Sequence, residues 1–223
     1  MKSYAESQAI RDFLFENPIH LDVALAVQET WPSIRDTVCN EFLDQLCTRI
    51  REVESIQKCE TSVQIGSVYK GAAAHSSRIW LYGDNWKPYV TSAKANLPPW
   101  GNRTAFVLEP DGKDLGYWFF NVQTPLSLDT MVATDRSRQE HLQQELSDGL
   151  GKSEGTTHNL RWPWWIYATP DMRHWNSLVP RLYRECKSSE GEITRYFVET
   201  FVSLALKAIP VIDQIEHTRS CST

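Results

Sequence analysis

From Ser33 to about Ser55 apolar residues recur every third or fourth position, whereas after Cys59 they gather in short β-branched and aromatic stretches separated by turn residues. The chain must therefore change from helix to strand near Cys59. Ile34, Val38, Phe42, Leu46, Ile50 and Val53 keep to one face of a long amphipathic helix, and Ser33 with Asp36 fits a capping box at its start. A shorter helix is predicted from about Leu21 to Glu29. It should stop before Trp31-Pro32, because a proline steers the preceding residue away from helical geometry. After Cys59 the stretches TSVQIGSVY, SRIWLY, TAFVLEP and GYWFFNVQ are short, β-branched and aromatic, with turn residues between them. Glu109 to Gly116 predicts a hairpin loop, in which Pro110 presets φ and Asp111-Gly112 supplies the turn. PWWIYA predicts a further strand, with Pro163 at its first position or on an edge.

The period then returns to helix. Thr134 to Leu150 reads as a polar helix, followed at residues 151–159 by a loop expected to be mobile. Ser189 with Glu192 makes a second capping box, opening a helix to about His217 that is apolar on most sides and so must be buried. Pro210 should kink it. The expected fold class is α+β: an antiparallel sheet meander packed by long N-terminal and C-terminal helices. One domain is expected over residues 1–223, with a helical lead-in at 1–60, a sheet region at 61–168 carrying the polar helix near 134–150, and C-terminal helices at 171–217.

Several chemistries are disfavoured by what this pattern carries. The five cysteines show no C-x-x-C spacing, which argues against a disulfide framework and a structural zinc site, and suits reduced thiols in a cytoplasmic protein. No apolar run is long enough for a signal peptide or a membrane span, so no membrane partner is expected. The net charge of −5 lies wholly in the first sixty residues, where six Lys and Arg meet eleven Asp and Glu. A duplex-binding protein needs concentrated basic charge, so nucleic acid is disfavoured; an acidic helical face suits water or a basic protein surface. G-x-S-x-G, P-loop and G-x-G-x-x-G motifs are absent, and the six histidines form no H-x-H or H-x-x-x-H pair. No cofactor and no metal are expected.

Two constellations remain. Pro170-Asp171 followed by Glu185-x-Lys187 has the residue types of a metal-dependent nuclease, in which two carboxylates hold a divalent ion and a lysine sits near the attacking water. Trp175, Leu178, Val179 and Leu182 repeat at helical spacing between them, so Asp171 reads instead as a helix cap after a break at Thr169-Pro170. The second constellation is aromatic. Eight of the nine tryptophans lie between Trp80 and Trp175. On a strand, Trp162, Trp164 and Ile166 would share one face, and Trp165 and Tyr167 the other. Trp86 and Trp100 fall in the loop-like GDNWKPY and LPPWGN and are expected to be exposed. With Lys87, Arg161 and Arg173 they are candidate partner-binding residues. With Arg161, Arg173, Arg181 and Arg184 they could also serve a single-stranded nucleic-acid-binding module.

The order of an acidic helical lead-in, Trp86-Lys87, FVLEPD…LGYWFFNV, a WPWW strand and a terminal AIPVIDQIE helix resembles the C-terminal accessory half of bacterial PD-(D/E)XK-like proteins of uncertain function. The likeness spans most of residues 20–216 and implies that the accessory half stands here without the nuclease half. The expected function is thus a non-enzymatic binding or regulatory protein acting through protein–protein contact, such as an inhibitor in bacterial defence or phage counter-defence. The alternatives are a PD-(D/E)XK-type nuclease or its remnant, using Asp171, Glu185 and Lys187, and the nucleic-acid module.

Overall fold

Helix gives way to sheet at Cys59, as the change of period requires. The computed structural model describes residues 4–68, 77–86, 103–111, 117–124, 133–153, 162–185 and 191–220. In chain order the elements are α1 (Tyr4–Glu16), α2 (Pro18–Glu52), α3 (Glu54–Gln57), β1 (Val63–Val68), β2 (Arg78–Gly83), β3 (Ala105–Asp111) and β4 (Tyr117–Gln123). They are followed by α4 (Ala133–Leu150), β5 (Trp164–Tyr167), α5 (Pro170–Arg173), α6 (Trp175–Glu185) and α7 (Glu192–Ser220). The five strands form one sheet in sequential order, every neighbouring pair antiparallel. The fold is α+β, a meander packed by long N- and C-terminal helices.

Alternation decides which side chains meet the helices. Ile79 and Leu81 of β2, Phe106 and Leu108 of β3, Trp118, Phe120 and Val122 of β4, and Trp164 of β5 are buried in one cluster with α2 and α7. Phe42 of α2 meets Trp118 edge-on at 5.9 Å and Phe197 of α7 at 5.5 Å, while Phe106 meets Phe201 at 5.0 Å. Such tilted ring pairs contribute beyond their buried area. The alternate positions lie on the other face of the sheet: Arg78, Trp80, Tyr82, Ala105, Val107, Glu109, Phe119, Asn121, Gln123, Trp165 and Tyr167.

Three local expectations need correcting. The chain does not leave helix at Trp31-Pro32: α2 runs through Pro32 for 35 residues. That segment is exposed, so the carbonyl that loses its partner can turn to water, and the proline is tolerated. The helix starts instead at Asn17-Pro18. Asn17 Oδ1 accepts the Ile19 N–H at 3.0 Å and Pro18 takes the first helical position. Pro110 lies not in a turn but in β3, opposite Trp118. The β2–β3 ladder pairs Ile79–Leu81 with Phe106–Leu108, so Pro110 falls beyond it and its missing N–H interrupts nothing there. The polar helix is α4, and Pro210 lies inside α7. The turn at Gly112, most of the loop at 151–159 and the Ser189 cap lie outside the described residues.

Cys39 and Cys47 are free thiols on the buried face of α2. Burial pushes the Cys39 thiol up strongly, and burial likewise raises Cys47, partly offset by Arg51. Neither is poised as a nucleophile.

Candidate functional site

The tryptophan-rich stretch is a joint between sheet and helix. Trp164 is fully buried, and its Nε1 donates to the Gly151 carbonyl at 2.9 Å. Ile166 packs on the same cluster, whereas Trp165 and Tyr167 turn to the other face around Phe119. Trp162 joins Phe119 as well, at 5.8 Å, and so does not share the side of Trp164. Pro163 precedes the strand, and the alternation does not extend back past it. The chain breaks at Thr169-Pro170 as expected. Asp171, however, is not the cap: Thr169 occupies that position without a side-chain bond, since Pro170 takes the first helical place and starts α5 one residue earlier. After a single turn His174 bridges to Tyr117 in strand fashion, and α6 begins. Leu178, Val179 and Leu182 of the expected stripe are buried; the Trp175 side chain lies outside the described residues.

Arg173 is held inside this joint. Its guanidinium lies 4.7 Å over the Tyr167 ring and 6.0 Å from Tyr117, and Nε donates to the Ala168 carbonyl at 3.1 Å. It braces the turn rather than reaching outward. Asp171 and Glu185 both sit on helices. Asp171 lies in α5 and Glu185 at the far end of α6, whose eleven residues span roughly 16 Å at 1.5 Å per residue. Glu185 already has a task, because its carboxylate accepts the Ile193 N–H at 3.0 Å at the start of α7, where a negative charge meets the positive helix end. Gly191 allows this closeness, as a Cβ there would run into that carboxylate. Lys187, Lys87, Trp100 and Arg161 lie outside the described residues.

Trp86 was expected at the surface and is instead 1% exposed. The turn after β2 folds it inward, with its N–H on the Gly83 carbonyl at 3.0 Å. The indole Nε1 donates to Asp213 Oδ1 of α7, and Asp213 Oδ2 accepts the Thr61 hydroxyl. A buried indole N–H needs an acceptor, and a helix over a hundred residues downstream supplies it. Asp213→Ala is therefore expected to cost about 1–3 kcal/mol by leaving that donor unpaired, while Asp213→Asn retains an acceptor and costs less. Urea titration of the two variants checks the order.

On the second sheet face Glu109 is buried. Arg78 Nη1 lies 3.4 Å from it, Asn121 Nδ2 donates to it at 3.2 Å, and Gln123 Nε2 donates to the same oxygen. This strand-borne carboxylate is thus engaged by a guanidinium and by side-chain amide donors. Among the described residues no three His, Cys, Asp or Glu gather as metal ligands. A cavity of about 510 Å³ between α2 and α7 is lined by two arginines, Arg49 and Arg195, and two glutamates, Glu52 and Glu199, and so selects no ligand charge.

What sequence reasoning missed lies at the other end of the molecule. α1 packs against α2, yet no residue of α1 is buried, and the buried residues of α2 begin only at Val38. Tyr4, Ile10, Phe13, Phe15, Ile19, Leu21, Val23, Leu25 and Val27 on this helical hairpin are each between 39% and 88% exposed. His20 stacks on Phe13 at 4.1 Å and shares a hydrogen bond with its carbonyl at 2.8 Å, which fixes the bend. A signal was present: apolar residues occupy every second position from Ile19 to Val27. In a helix that spacing makes two stripes, Ile19/Val23/Val27 and Leu21/Leu25, on opposite flanks of the half-buried Ala24. Comparison with family models, curated proteins and solved structures finds no match.

Proposed function

We propose that this chain is a binding protein that acts by docking another protein onto the hairpin of α1 and the first half of α2. One observation carries the reading. The nine exposed apolar side chains, divided between the two flanks of the hairpin, together offer on the order of 1,000 Å², against about 800 Å² for one side of a standard protein interface. A monomer's largest apolar patch is about 300–600 Å² and is itself often functional. The hairpin adds little to the core, so its apolar surface is not explained by folding. Helix-in-groove recognition uses anchors at these spacings. Among the described residues no helix is long and apolar enough to cross a membrane.

A photo-reactive benzoyl-phenylalanine placed at Phe15 should give a discrete cross-linked adduct in the native cell. The same group at Lys207, exposed on α7, should not. Equal labelling at both positions, or none at Phe15, removes the hairpin as a docking site. Incubation with plasmid and single-stranded DNA in magnesium or manganese should leave both intact. Cleavage that disappears in Asp171→Asn would replace binding with hydrolysis.

A further inference from the structure

We infer that the protein docked on this hairpin presents an apolar groove rimmed by lysine and arginine, rather than a second copy of this chain; the inference rests on the docking role proposed above. Charge is the first ground. Over the first thirty residues the sequence sets Glu6, Asp12, Glu16, Asp22 and Glu29 against Lys2 and Arg11, and Asp12, Glu16, Asp22 and Glu29 are exposed. Two such hairpins laid together would bring two surfaces, each with an excess of carboxylates, against one another, and like charges across an interface oppose association. A basic rim turns the same carboxylates into steering and register.

Shape is the second ground. The stripes Ile19/Val23/Val27 and Leu21/Leu25 flank the contact with α1 on both sides, and both are exposed. Asp22 and Glu29 lie between the stripes on the edge away from α1, seven residues and so about two turns apart. A two-fold copy of the chain would cover one stripe and leave the other bare. A groove with two walls covers both, with its basic rim level with the carboxylate edge. The hairpin enters as a wedge.

The probe is a fluorescein-labelled helical peptide of leucine and lysine, with leucines at helical spacing, and a twin carrying glutamate in place of lysine. Anisotropy with the full-length chain at low salt should show binding of the lysine peptide at least about tenfold tighter than the twin. Two double variants should each weaken it by about tenfold or more while melting like the parent, because all four side chains are exposed: Phe15→Ser with Val23→Ser, and Asp22→Lys with Glu29→Lys. If the lysine peptide binds all variants equally, or binds no better than its twin, the basic-groove partner is wrong. A concentration-dependent dimer that Phe15→Ser with Val23→Ser dissolves would show the occupant to be a second copy; the docking role then survives and the partner chemistry falls. Neither peptide binding nor self-association overturns both.

Discussion

Trp164→Ala should lower the unfolding free energy by about 3–5 kcal/mol, the range for emptying a large aromatic site inside a packed core. The ring is fully buried between sheet and helices, and its neighbours belong to several elements, so the space cannot collapse locally. The lost bond to the Gly151 carbonyl adds little, because that glycine is exposed and water can replace the indole. Trp165→Ala is the control. This ring is half-buried on the opposite face, edge-on to Tyr167 at 5.0 Å and Phe119 at 6.1 Å, and should cost clearly less. Guanidinium titrations of the two variants give the comparison, and a larger loss for Trp165→Ala would mean that the faces of β5 are reversed.

Glu109→Ala should be as damaging, about 3–5 kcal/mol, for an electrostatic reason. The Arg78 guanidinium, with a side chain only 11% exposed, would lose the carboxylate at 3.4 Å, and the amides of Asn121 and Gln123 would lose their acceptor. Removing both charges avoids stranding either, so Arg78→Leu with Glu109→Leu should cost much less than the two single changes added together. A double-mutant cycle by denaturant unfolding measures the difference. Additive losses would show that the pair is not coupled.

The sequence was most legible where one face of an element is buried. Short aromatic and β-branched runs bounded by turn residues, in GYWFFNVQ and PWWIYA, placed β4 and β5, and the 3.6-residue stripe from Val38 to Ile50 placed the buried part of α2. Burial imposes these patterns, so they can be read backwards. It was least legible where no burial acts. None of residues 4–37 is buried, and Pro32 then looks decisive although its helical geometry costs little in water. Trp86 shows the opposite limit. Its flanking turn residues say loop, and only Asp213, 127 positions away, draws the ring inside. Glu185 likewise looks catalytic or superficial until the start of α7 is seen against it. Partners distant along the chain leave no local period to detect.

The place of α7 also orders events in time. This helix, made after the meander, supplies Phe197 to Phe42 and Trp118, Phe201 to Phe106, and Asp213 to Trp86 and Thr61. A chain growing on the ribosome therefore holds its meander complete while the apolar side of that meander and the inner face of α2 still lack their cover. Contacts that close across 127 and 152 residues also form slowly, since the intervening loop must be ordered before they reward it. Until α7 emerges, Phe42 and Phe106 are the surfaces on which a nascent chain of this protein would stick to a chaperone or to another nascent chain.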